Sequence, residues 1–353
     1  MGQADPEQEV MGVTADDRLT TALQDAIDRF AAMSGEPFTH AVMIEADADD
    51  GFWAVAQAED DDTYRITVAE GAMKALDRLW STMISHTDLL RTDGTTATAK
   101  ADELAAVSLA WLIHHEMEHI EMDHLALKPK RGISETAHPK ARALIERAAE
   151  VSYSSPLEHG FETQDLRVVD RCLELRADHD AIEMILGPYS TDEWDLLRQR
   201  TAAIFAVMIL IDLEDRRHGI IGETHPRSAT RIFQLLGHLS ILYSVPAQVK
   251  AWKEGRDSIN PADLPPEDEI AAYTATVIQP AFRDAALIAA AAGADEIATE
   301  LGDPIDFFAD IDLALAKGAA EPKGFKTVGA IEWADLYAIN EAAMARLGHR
   351  AQL

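Results

Sequence analysis

The sequence has 353 residues, 47% of them hydrophobic, which is enough for one large domain or two modest ones with a buried core. It carries 62 acidic against 31 basic residues, a formal net charge of -31. Such a charge repels phosphate groups and argues against nucleic acid and anionic lipid surfaces as partners. The excess acid predicts a solvated, self-repelling surface, and the alternative is that it steers basic polypeptides toward a site.

The sequence also contains signals that indicate where in the cell the protein is located. A single cysteine, Cys172, excludes an intrachain disulfide and fits a reducing environment. The N-terminal segment has neither the basic start nor the apolar stretch of a signal peptide. The longest apolar run, 202–211, has about half the length that a membrane-crossing helix needs. We therefore expect a soluble, cytoplasmic protein without membrane insertion, and its oligomeric state stays open.

The first third of the chain predicts a helix and then a small sheet. After a polar tail at 1–15, a helix is predicted over about 16–34. Three short segments rich in β-formers follow, separated by acidic turns: HAVMIEAD, FWAVAQAE and TYRITVAE. They predict a sheet of about three strands, and the next segment, GAMKALDRLWSTMISH, has apolar residues at helical spacing.

The rest of the chain predicts helices. A long one is expected over about 102–127, with Leu104, Val107 and Trp111 on one apolar face. A stretch with several prolines at 128–165 predicts loops. Further helices are predicted over 166–186, 193–215 and 228–243. After Pro246, NPADLPPEDE predicts a linker, and alanine-rich segments predict helices near 268–301, 304–318 and 328–347.

These elements predict an α+β fold that is mostly helical, with a small β-sheet beside a long helix. We divide the chain into an N-terminal tail and helix, 1–35, a working domain, 36–245, and a helical C-terminal region, 246–353. The role of the C-terminal region is left open by the sequence.

The long predicted helix contains the sequence HEMEH at 115–119, an HExxH motif. Residues four apart lie on one helix face, so the imidazoles of His115 and His119 can bind one metal ion. Glu116 is rotated about 100° from His115, which suits a base beside the metal rather than a third ligand. The alternative is two ordinary histidines, but both continue the apolar face, and buried imidazoles need partners.

A catalytic zinc site needs a third protein ligand and an open position for water. The helix over 166–186 offers Glu174 and Asp178, four residues apart on a partly apolar face. Glu174 would bind the zinc ion, and Asp178 would accept a hydrogen bond from the free nitrogen of a ligand histidine. The negative charge of each carboxylate would then have a partner. The alternative is a solvated acidic face in an acid-rich protein. His124, five residues past His119, is expected to face elsewhere on its helix.

The sequence Thr224-His225-Pro226, followed by Arg231, is a weaker signal. A His-Pro pair in a loop is usually a turn before a helix. Beside a zinc site, His225 and Arg231 would be able to stabilise a tetrahedral oxyanion.

Together these motifs resemble the gluzincin peptidases of the HtpX and CAAX prenyl protease type. Four segments occur in the order of that family: ITVAEGAMKAL (66–76), ADELAAVSLAWLIHHEMEHIEMDH (101–124), ELRAD (174–178) and THPRSATRI (224–232). The resemblance implies a zincin-like metallopeptidase domain over 36–245 with one zinc ion per chain. It implies His115, His119 and Glu174 as the ligands and Glu116 as the catalytic base. It also implies supporting roles for Asp178, His225 and Arg231.

Two departures from this family are visible. Its transmembrane helices are missing, and Met117 stands where a small residue is usual. The chain therefore resembles a soluble relative, of which the Lit-type phage-exclusion peptidases are one kind.

The function expected from these residues is zinc-dependent endopeptidase activity on a polypeptide substrate. Zinc-bound water would attack the peptide bond, and Glu116 would accept its proton and pass it to the leaving amine. An edge strand within 52–69 would hold the extended substrate by strand addition. One alternative is a narrow-target host-defence or toxin protease. Another is a metal-stabilised regulatory or binding protein without peptidase activity, against which Glu116 argues because a structural site needs no base.

Overall fold

The computed structural model describes residues 14–59, 62–85, 88–92, 95–96, 99–122, 124–127, 163–223, 225–317 and 324–347. It is mostly helical (72%) with a small three-stranded sheet, which confirms the predicted α+β, mostly helical class. Of the loops predicted at 128–165, residues 128–162 lie outside the described residues. Residues 163–165 belong to the start of a helix.

The N-terminal part forms one helix and the sheet: α1 (Ala15–Ser34), β1 (Ala41–Asp47), β2 (Ala54–Ala58) and β3 (Thr63–Ala69). The strand order is β1-β3-β2, with β1 parallel and β2 antiparallel to β3. The backbone N–H of Ala69 donates to the carbonyl of Trp53 (3.0 Å). In β2 it is therefore the odd-numbered residues whose backbone N–H and C=O groups point toward β3. The backbone groups of Ala54, Ala56 and Ala58 therefore point away from the sheet, along its edge.

Two helices follow the sheet, separated by a short hairpin: α2 (Glu70–Met83), β4 (Arg91–Thr92), β5 (Thr95–Thr96) and α3 (Ala101–Glu121). The predicted helix over 102–127 is shorter than expected, because α3 ends at Glu121 and a separate turn, α4 (His124–Leu127), follows. Helix α3 is buried along most of its length and lies against α2 and β2.

The remaining helices complete the described chain: α5 (Thr163–Leu186), α6 (Trp194–His218), α7 (Ser228–Ile241), α8 (Val245–Lys253), α9 (Glu267–Tyr273), α10 (Gln279–Ala291), α11 (Asp295–Leu301), α12 (Pro304–Lys317) and α13 (Val328–Leu347). A π-helical turn, Thr274–Ile278, joins α9 to α10. Helix α3 packs against α5 and α6, and α13 packs against α5 and α7. One hydrophobic core contains side chains from α1 through α13.

The helices after residue 246 are in close contact with those before it. In α13, a Cβ atom added to Gly329 would lie 2.3 Å from the carbonyl oxygen of Ala229 in α7, so these two backbones touch. The predicted linker, NPADLPPEDE, contains a 3-10 turn, Pro261–Asp263, and the start of α9. The domain boundary at 246 stays a prediction, but the helices on its two sides share one core.

Among the described residues, one helical stretch, Ser228–Lys253, is long and apolar enough to cross a membrane by length and composition alone. Of its most apolar window, 56% is buried inside the structure. A core helix of a folded domain meets the same criterion, so the stretch is weak support for a membrane span.

A buried ion pair joins α6 to α10. The guanidinium of Arg198 donates to both carboxylate oxygens of Asp284, at 2.6 and 2.9 Å. The backbone N–H of Leu90 donates to the same carboxylate at 3.2 Å, and the guanidinium also donates to the carbonyl of Arg91. Because both charged groups are buried, each depends on the other for compensation.

We expect Asp284→Ala to lower the free energy of unfolding by about 3–5 kcal/mol, since it leaves the Arg198 guanidinium buried without a counter-charge. Denaturant unfolding followed by circular dichroism measures this loss. The double variant Arg198→Met/Asp284→Leu is the control, and it should recover most of the stability. A loss below about 1 kcal/mol in Asp284→Ala, typical of a surface pair, would contradict this account of the contact.

Candidate metal centre

Helix α3 places His115 and His119 on one face, one turn apart, as their spacing predicts. Their Nε2 atoms lie 3.2 Å from each other, and both rings are buried at 3% exposure. The ring of Trp111, one turn earlier, lies 5.4 Å from the His115 ring and covers it. Two ring nitrogens therefore point at one place inside the protein.

Glu174 of α5 reaches the same place. Its Oε2 lies 3.1 Å from His115 Nε2 and its Oε1 lies 3.4 Å from His119 Nε2. Ligands around a tetrahedral zinc ion at ordinary bond lengths are separated by about 3.3 Å. The spacing of these three donor groups therefore fits a single zinc ion.

Asp178, one turn after Glu174, lies where the sequence predicts it. Its Oδ1 is 3.0 Å from the Nδ1 of His115, the ring nitrogen that faces away from Glu174. A carboxylate in this position favours the tautomer whose Nε2 lone pair is free for a metal.

The structure places Arg231 of α7 behind Asp178. Its Nε and Nη2 donate to the two oxygens of Asp178 at 2.7 and 2.6 Å, and its guanidinium carbon lies 5.5 Å from the centre of the Trp111 ring. The side chain is 1% exposed. These contacts favour a role in positioning Asp178 and His115 rather than the predicted contact with an oxyanion.

His225 lies on the open side of the cluster. Its Nε2 is 3.8 Å from Glu174 Oε2, and its Nδ1 is 3.1 Å from Asp215 Oδ2 on α6. Sequence reasoning missed Asp215, because an acid near the end of an acid-rich helix carries no distinguishing signal. Thr224, the first residue of that motif, lies outside the described residues.

Glu116 connects the motif to the sheet. Its Oε2 accepts a hydrogen bond from the backbone N–H of Ala56 on the outward edge of β2, at 2.7 Å. It lines a pocket of about 40 Å³ together with His115 and His225. The other lining residues are Phe52, Trp53, Ala54, Leu112, Ile211, Glu214 and Asp215. The predicted base therefore lies beside the cluster of donor groups, in a space large enough to hold water.

His124 does not face away as the sequence analysis expected. Its Nδ1 lies 3.0 Å from the Nδ1 of His119. The expectation was wrong because it assumed a continuous helix to residue 127. Since α3 ends at Glu121, the chain turns and brings His124 back over the helix end, where it contacts the outer nitrogen of a predicted ligand.

The electrostatics of the cluster favour a cation. Burial alone would lower the pKa of His115, but the neighbouring carboxylates of Asp178 and Glu174 raise it to about 10. Burial would raise the pKa of Glu174, yet His119 and His115 hold it well below its usual range. Burial opposes ionisation of Asp178 as well, and Arg231 with His115 lowers its pKa. The buried carboxylates thus attract positive charge, which protons on the imidazoles or a metal ion can supply.

Comparisons of the chain with protein-family models, with curated proteins and with solved structures found no match. The donor set of two imidazoles and one carboxylate is a combination found in catalytic zinc sites.

Asp178→Asn should weaken zinc affinity by roughly 10–100-fold, because the carboxylate orients the His115 ring without binding the metal itself. Competition with a chromophoric chelator on folded protein measures the affinity. The matched control is Asp180→Asn, which changes an acid on the same helix that pairs with Arg176 at 3.0 Å. It should leave zinc affinity unchanged, and equal affinities in the two variants would exclude the orienting role of Asp178.

Proposed function

We propose that this chain is a zinc-dependent endopeptidase of the gluzincin type, with a zincin-like domain over 36–245 and polypeptide substrates in the cytoplasm. One observation carries the proposal. The donor atoms of His115, His119 and Glu174 lie 3.1 to 3.4 Å apart beside a pocket that Glu116 and His225 also line. A purely structural metal site would have no use for a carboxylate and an imidazole at its open side.

His115, His119 and Glu174 would hold the zinc ion. When bound, zinc supplies Lewis acidity, which polarises a carbonyl group and lowers the pKa of water toward neutrality. Asp178 and Arg231 keep the His115 ring in the orientation that this binding requires.

Glu116 supplies the proton transfers. It accepts a proton as the water oxygen attacks the scissile carbonyl carbon, and it passes that proton to the amine nitrogen as the C–N bond breaks. The hydrogen bond from Ala56 to Oε2 fixes the carboxylate in the pocket, so its orientation is set before substrate arrives.

His225 is the donor for the developing oxyanion. Burial lowers its pKa, but the Asp215 carboxylate outweighs burial and the net effect raises it. When both ring nitrogens carry a proton, the ring is held by Asp215 through Nδ1 and directs its Nε2–H toward the side of the cluster where Glu174 lies. Such a fixed cationic donor stabilises negative charge that develops on the carbonyl oxygen.

The edge of β2 offers a place for an extended substrate. Ala54 lines the pocket, and its N–H and C=O groups point away from β3. A polypeptide can therefore pair with the strand near Ala54 and pass beside Glu116. The formal net charge of -31 would raise the local concentration of basic segments.

Glu116→Gln should keep zinc and lose hydrolysis, because it removes the base and leaves all ligands in place. Labelling of new N-termini in a proteome incubated with the wild-type protein or with Glu116→Gln measures the activity without a known substrate. Metal analysis of the same samples gives the zinc content.

The matched control is Glu118→Gln, which changes the other glutamate of the motif. That side chain is buried but does not line the pocket, so hydrolysis should persist. His115→Ala and Glu174→Ala should lose both zinc and activity. Hydrolysis that survives in Glu116→Gln would refute the mechanism. Zinc-loaded wild-type protein without any cleavage products would favour the metal-stabilised binding protein instead.

His225→Ala should reduce kcat by roughly 10²–10³-fold with unchanged zinc content, since the ring acts on the oxyanion and is not a ligand. Turnover per mole of zinc-loaded, folded protein is the measurement. His218→Ala, which removes a nearby ring that contacts Glu214, is the control and should retain most of the turnover. A lower melting temperature with normal turnover in His225→Ala would show that His225 only stabilises the turn before α7.

A further inference from the structure

A second cluster of donor groups lies on the other side of α5. His179 and Glu183 are one turn apart on α5, and His238 is on α7. One nitrogen or oxygen from each residue lies within 4.8 Å of the others. The Nε2 of His179 is 3.5 Å from Glu183 Oε1, and the rings of His179 and His238 are nearly perpendicular at 5.2 Å.

His238 is the residue that distinguishes this cluster from an ordinary helix-surface pair. Its side chain is buried, with 7% exposure, and its Nε2 has no hydrogen-bond partner among the described residues. An unpaired polar atom in such a place destabilises the folded protein. A bound ligand would remove that destabilisation.

The kinds of donor group in this cluster suit a transition-metal cation. Two imidazoles and one carboxylate are donors that zinc-like cations prefer, whereas magnesium and calcium prefer oxygen alone.

The cluster is also accessible. His179 and His238 line a cavity of about 240 Å³ whose other walls are largely apolar. These walls include Phe233, Ile241, Ile311, Leu315, Trp333 and Tyr337. The Glu183 side chain is 50% exposed, so an ion can enter from solvent and the carboxylate can rotate toward it. The cavity leaves room for a water molecule or another ligand in the remaining coordination position.

We propose that His179, Glu183 and His238 form a second binding site for a divalent transition-metal ion of the zinc type. The site joins α5 to α7 and is separate from the cluster of His115, His119 and Glu174. It does not depend on peptidase activity. The Glu183 side chain is half-exposed, whereas the three donors of the first cluster are all buried, so the second ion should bind more weakly.

Calorimetric titration with zinc chloride tests the assignment. Protein that has been loaded with zinc and dialysed against metal-free buffer should bind one further zinc ion per chain. Glu183→Gln and His238→Asn should each weaken this event at least roughly tenfold, because each removes one of three protein ligands. The wild-type protein should also gain thermal stability with added zinc, and the two variants should gain less.

The matched control is His40→Ala. His40 lies 3.7 Å from Glu121 in a partly exposed His–Glu pair outside both clusters of three donors, so its removal should leave the titration unchanged. Glu183 is half-exposed, and its substitution decides the question even if His238→Asn fails to fold. A titration without the further ion, or one that is unchanged in Glu183→Gln, would overturn the proposal. If binding of the further zinc ion depends on Glu183, the second site is supported, whether or not the first cluster is occupied.

Discussion

Asp178 is the point on which the geometry of the first cluster depends. Its carboxylate is fully buried and contacts the His115 ring of α3 on one side and the Arg231 guanidinium of α7 on the other. Three helices are thereby fixed to one another by two polar contacts around one charge. Because a buried carboxylate without partners is strongly unfavourable, these helices hold one relative position. The same contact orients the His115 ring so that its Nε2 faces Glu174. The donor atoms of His115, His119 and Glu174 therefore point at one place.

The small sheet contributes to the cluster through its edge. The edge strand of a sheet normally presents unpaired N–H and C=O groups to solvent. Here one of them, the N–H of Ala56, is satisfied by Glu116 of α3, while Ala54 remains beside the pocket. The strand thus orients a carboxylate and borders the space in front of it. This explains how so short a sheet can matter to a largely helical protein.

The parts that the sequence predicts well are those with a local signal. Short segments rich in β-formers between acidic turns predict β1 to β3, and the four-residue spacing of His115 and His119 places both rings on one face. The spacing of Glu174 and Asp178 likewise anticipates their shared face. Contacts between distant segments are not encoded in any such period. The Ala56–Glu116 hydrogen bond and the Asp215–His225 contact each depend on how whole elements pack, as does the return of His124 after α3 ends early.

The position of α5 depends on the last helix of the described chain. Arg171 of α5 pairs with Glu332 at 2.9 Å, and the thiol of Cys172 donates to the carbonyl of Leu336, both on α13. During translation, Glu174 leaves the ribosome long before its helix has this support. At ordinary elongation rates the interval is on the order of ten seconds. A newly made chain would therefore hold its donor groups firmly in place only after α13 has also been made, so any hydrolytic activity would begin only after that interval.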